Sequence, residues 1–162
     1  MANEYFHIIR LKPHWTQLLV SNTGLVLLSL ASAVCACICD PLYSKIAAVI
    51  CATSVCAFFY EALEIACIKY IVTDEQLIFK HGIFNQSTEY LELYRVVDYQ
   101  QTRSLMQQIL GIKTIYILSG DKTMPTLPII GVKEETRLIS EIRMRVEYNK
   151  KRKGIYEITN RY

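Results

Sequence analysis

The polar side chains best placed to act together lie inside two long apolar stretches. Glu61 and Glu64 are three residues apart near the end of the second stretch, so both carboxylates fall on one face of a helix. The only polar run inside the first stretch is Ser21, Asn22 and Thr23. If the stretches fold back on each other, the carboxylates come level with this run. The pattern predicts either a docking site for another membrane subunit or a hydrated carboxylate pair at the membrane interface.

Motifs for catalysis or for cofactor binding are missing from the sequence. It contains no phosphate loop, dinucleotide fingerprint, nucleophile elbow or zinc-protease helix. Residues 120–123 resemble the end of a phosphate loop but lack its upstream glycine spacing, so a hairpin turn explains them better. The three histidines, His7, His14 and His81, are scattered. We therefore expect a protein that is not an enzyme and needs no cofactor or metal.

The six cysteines all lie within residues 15–68. Cys35 and Cys39 share a helix face, whereas Cys37 is on the opposite side. No histidine or aspartate lies within the same span to complete a metal site, and cysteine often serves as a small apolar residue. We expect that apolar role here, and a disulfide between Cys39 and the other helix stays open.

The two apolar stretches predict a transmembrane hairpin over residues 15–68. Residues 15–39 contain no charged side chain, and a second apolar run follows after the polar break at 40–45. Since about 20 helical residues cross a hydrocarbon core of about 30 Å, helices at about 15–39 and 43–66 would both span it. A secretory signal peptide is the alternative, but the first run is too long and a second span follows.

The distribution of basic residues indicates the orientation of this hairpin. Arg10 and Lys12 precede it, only Lys45 lies between the two spans, and most other basic residues follow. Lys and Arg are concentrated on the cytoplasmic side of membrane proteins. We therefore expect a multi-pass protein with both termini in the cytoplasm, residues 1–14 forming a cytoplasmic N-terminal segment.

Residues 69–148 change to short β-rich runs followed by one helix. The runs predict strands at about 70–73, 76–80, 87–94, 95–100, 112–118 and 124–130. The last run contains Pro125 and Pro128 and should lie at a sheet edge. Residues 104–110 suit a short helical turn closed by Gly111, and residues 133–148 form an amphipathic closing helix. This order predicts an α+β domain, a strongly bent sheet or barrel capped by the helix.

Several short motifs in this region carry a resemblance to a known family. They include YIVTD at 70–74, LYRVVD at 93–98, QQ at 100–101 and LGI at 110–112. In order and spacing they resemble the bacterial pleckstrin-homology-like (PH-like) domain, and more closely its membrane proteins in which a two-span hairpin precedes the domain. The resemblance implies a seven-strand PH-like barrel with a C-terminal helix, no catalytic residues, and a place in the bacterial inner membrane.

The C-terminal residues 149–162 carry the whole positive excess of the chain. They contain five Lys and Arg against one Glu, while residues 1–148 contain 13 against 14. Such a basic tail favours anionic lipid, nucleic acid or an acidic partner, or is a solvated disordered end. The candidate contact residues are Lys150, Lys151, Arg152, Lys153, Ile155, Tyr156 and Ile158. Their apolar members favour a segment that is disordered alone and ordered on a protein partner by strand addition.

These observations favour a non-catalytic scaffold or assembly subunit anchored in the inner membrane. It would contact membrane lipids and would be a homo-oligomer or a subunit of a membrane protein complex, with nucleic acid unlikely because aromatic residues are few in the tail. The alternative is a sensor of lipid headgroups or of a small ligand. Residues 69–148 carry ten Lys and Arg against ten Asp and Glu without a basic cluster, which weakens that alternative.

Overall fold

The computed structural model describes residues 6–38 and 40–155, which form two packed helical segments, two antiparallel sheets and a C-terminal helix. The helices are α1 (Gln17–Ser21), α2 (Thr23–Ile38), α3 (Pro41–Cys67), α4 (Leu105–Ile109) and α5 (Leu138–Arg152). The strands are β1 (Ile9–Leu11), β2 (Lys69–Val72), β3 (Gln76–His81), β4 (Ser87–Glu92), β5 (Val96–Thr102), β6 (Ile112–Ser119) and β7 (Thr126–Lys133). A short 3-10 turn, Leu93–Arg95, joins β4 to β5.

The first apolar stretch forms two helices instead of the single one expected over residues 15–39. They meet at Asn22, whose side-chain nitrogen donates to the carbonyl of Leu18 at 3.0 Å and competes there with the backbone. The backbone bonds nevertheless continue through the junction, from Asn22 to Leu18 and from Val26 to Asn22, both at 3.0 Å. Residues 17–38 therefore act as one slightly irregular rod of two short helices.

The second apolar stretch forms the long helix α3, which packs along α2. Pro41 opens it at a position where the missing amide hydrogen costs nothing, so the helix starts earlier than the expected residue 43 and ends one residue after 66. Near the turn of the hairpin the Ser44 hydroxyl donates to the carbonyl of Ala36 at 2.7 Å. Among the described residues, α3 alone is long and apolar enough to cross a membrane, which weakly suggests membrane association.

The remaining elements form two antiparallel sheets, with strand orders β1-β2-β3-β4 and β5-β6-β7. Their inner faces and α5 enclose one apolar core. Its fully buried members come from every part of this enclosure: Tyr70, Val72, Leu77, Leu91, Ile115, Ile117, Leu127, Ile129, Leu138 and Ile142. Burial of each such side chain contributes about 1.5 to 3 kcal/mol, so this core holds the sheets and the helix together as one unit.

The strand β1 shows that the N-terminal segment belongs to the folded domain. Residues 1–14 were expected to form a separate cytoplasmic segment, yet Ile9 pairs with Val72 and Leu11 with Tyr70. Three residues around the charged Arg10 give too weak a β pattern to be recognised, and their partner strand lies beyond the hairpin. The helical hairpin is therefore an insertion between two neighbouring strands of one sheet.

The closing helix is shifted relative to the expected range 133–148. Lys133 still belongs to β7, and the following turn is held by the Lys113 side-chain nitrogen, which donates to the carbonyl of Glu134 at 3.0 Å. At the other end α5 continues to Arg152, because the buried Asn149 donates to the carbonyl of Asp74 at 2.6 Å. The basic segment 149–152 is thus helical, not a disordered tail.

The other local expectations agree with the structure. Residues 69–133 form six strands close to the expected positions, and β7 is an edge strand of its sheet. The Ser104 and Gln107 side chains form a reciprocal capping box at the start of α4, and Gly111 follows the helix with a φ of 63°.

Candidate functional site

The root of the hairpin brings together part of the polar cluster expected from the sequence. Ser21, Glu61 and Glu64 line one shallow cleft between α1 and α3, together with Tyr60. Asn22 and Thr23 instead donate to backbone carbonyls of α1, and the Asn22 Oδ1 is buried without a partner among the described residues. The docking of another subunit at this cleft stays a prediction.

A chain of polar side chains, buried at Gln17, Gln107 and Thr114, ties this root to the three-stranded sheet. The Gln17 amide donates to the Ser21 hydroxyl at 3.2 Å and accepts from the Gln107 amide at 3.1 Å. Gln107 also donates to the Thr114 hydroxyl at 2.9 Å. Because unpaired buried amides are costly, these bonds hold the hairpin root firmly against α4 and β6. The only sequence signal was an amide, Gln17, within an uncharged stretch.

The segment before α1 closes the outer edge of β7. The backbone amide of His14 donates to the carbonyl of Gly131 at 2.9 Å. Gly131 has a φ of 64°, and a Cβ on it would lie 3.0 Å from the Gln17 Cβ and 3.0 Å from the His14 nitrogen. Only glycine permits this conformation together with such a close approach.

Tyr70 closes the same edge from the first sheet. Its hydroxyl donates to the Pro128 carbonyl at 3.0 Å and accepts from the Ile130 amide at 3.4 Å. Burial raises the pKa of this phenol to about 12, although the bond from Ile130 opposes the change. Two elements from distant parts of the chain therefore occupy the backbone groups of β7 that would otherwise be open.

Arg145 fastens α5 to the first sheet through backbone carbonyls. Its guanidinium donates to the carbonyls of Val72 at 3.0 Å, Thr73 at 3.3 Å and His7 at 2.6 Å. Desolvation lowers the pKa of this buried group. These contacts join α5, β2 and the N-terminal segment, so the role of Arg145 is to hold elements together.

The outer edge of β5 differs, because no strand pairs with it in the part of the chain that the structure describes. A groove runs between this edge and α5. Its lining is partly apolar and partly charged: Val96, Val97, Asp98, Tyr99, Arg143, Val146, Glu147, Lys150, Lys151 and Ile155. Val97 is 68% exposed and lies at a register shift between β5 and β6.

Tyr99 forms part of the groove wall. Its ring lies beneath the Arg143 guanidinium, 5.7 Å from ring centroid to Cζ, and its hydroxyl is buried without a partner among the described residues. Burial raises the pKa of the Tyr99 phenol to about 12, an effect that the charge of Arg143 opposes. The groove therefore has an aromatic side and a cationic rim.

The residues expected to form a basic tail divide between two locations. Lys150, Lys151 and Ile155 line the groove. Arg152 instead forms an ion pair with Glu75 at 2.6 Å. Tyr156 and Ile158 lie outside the described residues. Only part of the basic cluster therefore faces the groove, and strand addition by this segment stays a prediction.

Lys153, the remaining member of that basic cluster, lies on the other side of the helix end. Its side-chain nitrogen is 3.8 Å from the centroid of the Tyr94 ring and 3.9 Å from Glu92. This lysine caps the 3-10 turn side of the domain and does not contribute to the groove.

Over residues 6–38 and 40–155, no group of three His, Cys, Asp or Glu is placed to hold a metal ion. Cys35, Cys37, Cys51, Cys56 and Cys67 are free thiols, and Cys39 lies outside the described residues.

Two antiparallel sheets closed by a C-terminal helix define the folded part of this chain as a PH-like domain. A family model described as Bacterial PH domain matches residues 23–146, about three quarters of the chain. The chain therefore belongs to the bacterial PH domain family, as the resemblance of its motifs implied. Neither a curated protein nor a solved structure matches it.

Proposed function

We propose that this protein is a non-catalytic assembly subunit of the bacterial inner membrane, in which the groove beside β5 binds the C-terminal segment of a second copy. The observation that carries the proposal is the unpaired outer edge of β5, next to a groove of apolar and cationic side chains. Backbone groups of such an edge bind an extended segment, and the neighbouring side chains select it.

The dimensions and surface of the hairpin support the membrane anchor. At 1.5 Å per residue, the 27 residues of α3 extend about 40 Å, and residues 17–38 extend about 33 Å. Both lengths exceed a hydrocarbon core of about 30 Å. Large apolar side chains cover the outside of both rods: Leu27, Leu28, Leu30, Val34, Ile38, Ile46, Val49 and Phe59. Together with the bias of basic residues, these features support a hairpin of two spans with both termini in the cytoplasm.

The chemistry of the C-terminal segment matches the groove. Residues 155–159 read Ile-Tyr-Glu-Ile-Thr, a sequence rich in the β-branched and aromatic types that favour strands. Its single carboxylate would meet a rim in which Arg143, Lys150 and Lys151 outnumber Asp98 and Glu147. Ile155, the first residue of this run, itself lines the groove.

A second copy is the occupant to which the proposal commits, because its segment has the required chemistry. Two copies anchored by the same hairpin would also have their grooves at the same height above the membrane. This arrangement restricts the search to two dimensions and raises the effective concentration of segment and groove.

The test measures the mass of intact complexes of the full chain in mild detergent. We expect the wild-type chain to form oligomers, and deletion of residues 156–162 or Val97→Lys to give monomers. Mixing the deleted chain, which keeps its groove, with the Val97→Lys chain, which keeps its segment, should restore a mixed dimer. Tyr90→Lys, a substitution of similar exposure on β4, is the matched control and should leave the oligomer intact.

Two results would overturn the second-copy proposal. One is a wild-type chain that is monomeric. This result includes a monomer in which the C-terminal segment cross-links to the groove of the same chain. The other is an assembly, with itself or with a different protein, that survives deletion of residues 156–162 and Val97→Lys together.

A further inference from the structure

The end of the PH-like domain next to the hairpin exposes an unusual number of large apolar side chains. Among the described residues outside the helical hairpin, the three most exposed large apolar side chains are Phe84 at 92%, Ile109 at 79% and Leu105 at 78%. Phe84 lies in the loop between β3 and β4, and the other two lie on α4, together with the 48% exposed Met106. Large exposed apolar side chains of this kind are candidates for a contact surface.

The position of α4 follows from its hydrogen bonds to the hairpin. Leu105, Met106 and Ile109 share one side of α4, whereas Gln107 on the opposite side is buried and bonded to Gln17. The Ser104 capping box fixes the start of the same helix. This short helix is therefore held at the hairpin root and directs its apolar side outwards.

The loop that carries Phe84 lies at the same end of the domain. Lys69, the first residue of β2, comes directly after α3 and its connecting residue, and it pairs with Lys80 near the end of β3. The β3–β4 loop begins two residues later and is therefore close to the hairpin. Helix α3 also contacts β3.

The length of α3 places this end of the domain at the depth of the lipid headgroups. From Pro41 to Glu61 the helix rises about 30 Å, the thickness of a hydrocarbon core. Ser21 shares the cleft of Glu61, and Gln17 lies one turn further from the core, about 6 Å. The headgroup layer is about 5 to 8 Å thick on each side, so Gln17 and α4 fall within it.

A pair of like charges at this end fits an anionic surface. Lys69 and Lys80 are directly opposite each other on neighbouring strands, and both are exposed. Such pairs are destabilising unless a counter-charge is close. Anionic headgroups at the same depth would supply it.

We propose that this end of the domain, formed by Phe84, Leu105, Met106, Ile109, Lys69 and Lys80, is a second membrane contact that inserts into the inner leaflet of an anionic bilayer. The proposal rests on the membrane anchoring proposed above and adds a fixed orientation of the domain relative to the bilayer. The domain is held against the bilayer at two places beside the hairpin, and the β5 groove is held at a constant height.

The test uses tryptophan fluorescence of the full chain in vesicles of phosphatidylcholine and phosphatidylglycerol with brominated acyl chains. The single native tryptophan is removed by Trp15→Phe, and one tryptophan is introduced as Ile109→Trp or Phe84→Trp. Because apolar faces of interfacial helices enter the acyl boundary, we expect brominated lipid to reduce both emissions by about half or more. Ile8→Trp, at the opposite end beside the β2–β3 turn, is the control and should not be quenched.

A fourth position separates this inference from the anchoring on which it rests. Leu27→Trp places the probe on the exposed surface of α2. If Leu27→Trp is not quenched, the membrane anchoring itself is wrong. If Leu27→Trp is quenched while Ile109→Trp and Phe84→Trp behave like Ile8→Trp, the anchoring stands and the second membrane contact is overturned.

Discussion

The two outer strands of the three-stranded sheet differ in whether other residues cover their outer edges. The edge of β7 is occupied by the His14 amide and the Tyr70 hydroxyl, which bond to Gly131, Pro128 and Ile130. The edge of β5 has no strand partner among the described residues and faces a groove. Open edges invite pairing with other chains, and proteins usually protect them. The protein protects one edge with residues from two distant segments and leaves the other accessible.

The contacts at β7 make the hairpin root and the closed edge depend on each other. The residues that cover β7 directly precede α1, and Gln17 continues from them into the bonds with Gln107. Disturbing the β7 edge should therefore disturb the hairpin root, whereas changes at the β5 edge should leave the fold intact and act on association.

The largest effect is expected from Gly131→Ala at the closed edge. The substitution adds a Cβ at a φ of 64° and within 3.0 Å of two atoms of the covering segment. The left-handed backbone costs about 1 to 2 kcal/mol and the overpacking about 1 to 3 kcal/mol, so we expect a loss of about 2 to 5 kcal/mol. Unfolding of the detergent-solubilised chain in denaturant measures it.

Gly111→Ala provides the matched control. Gly111 has nearly the same φ, 63°, but its Cβ would meet nothing within 4 Å. This variant should lose only the backbone contribution of about 1 to 2 kcal/mol. Equal losses in the two variants would show that the covering segment yields easily and that the β7 edge is not tightly closed.

A smaller effect is expected from Tyr70→Phe. Removing the hydroxyl leaves the Pro128 carbonyl and the Ile130 amide without this partner, at a cost of about 1 to 3 kcal/mol. Tyr99→Phe makes the same chemical change beside the open edge, where the hydroxyl has no partner among the described residues, and should be nearly neutral. Denaturant unfolding of both variants measures the two losses of stability. A larger loss for Tyr99→Phe than for Tyr70→Phe would contradict this prediction.

The sequence predicts those parts of the fold that depend on local patterns. β-branched runs locate the strands from β2 to β7, and Ser104, Gln107 and Gly111 delimit α4. The strand β1 has only three residues around Arg10, and its pairing with β2 depends on chain folding across the whole hairpin. The start of α5 depends on Lys113, a residue of another element that draws the preceding carbonyls into a turn.

The candidate site likewise combines features that local sequence patterns predict with features that depend on distant residues. The spacing of Glu61 and Glu64 and the turn of the hairpin are enough to place both beside Ser21. The bond between Gln17 and Gln107 joins residues 90 positions apart, and a periodic pattern in the sequence cannot predict such a pairing. The open edge of β5 is likewise a relation between strands, so the groove beside it could not be recognised from any single segment.

The smallest effect is a pH dependence shared by the two edges. Burial is the main cause that raises the pKa of both Tyr70 and Tyr99 from 10.0 to about 12. The folded state therefore holds these protons more tightly than the unfolded state. The stability that this provides is complete below pH 10 and is lost as the pH rises through about 12. The free energy of unfolding should decrease between pH 9 and pH 11, and the decrease should be smaller in Tyr99→Phe than in the wild type.

This measurement also tests how open the β5 edge is. A buried Tyr99 phenol requires the groove to exclude water from the hydroxyl, even though Val97 beside it is exposed. Alkaline absorbance of the wild type minus that of Tyr99→Phe isolates the single phenol. A midpoint near 10 would mean that water reaches the hydroxyl and that the wall of the groove is loose. A midpoint near 12 would mean that the open edge is rigid, and a rigid edge binds an added segment with less loss of entropy.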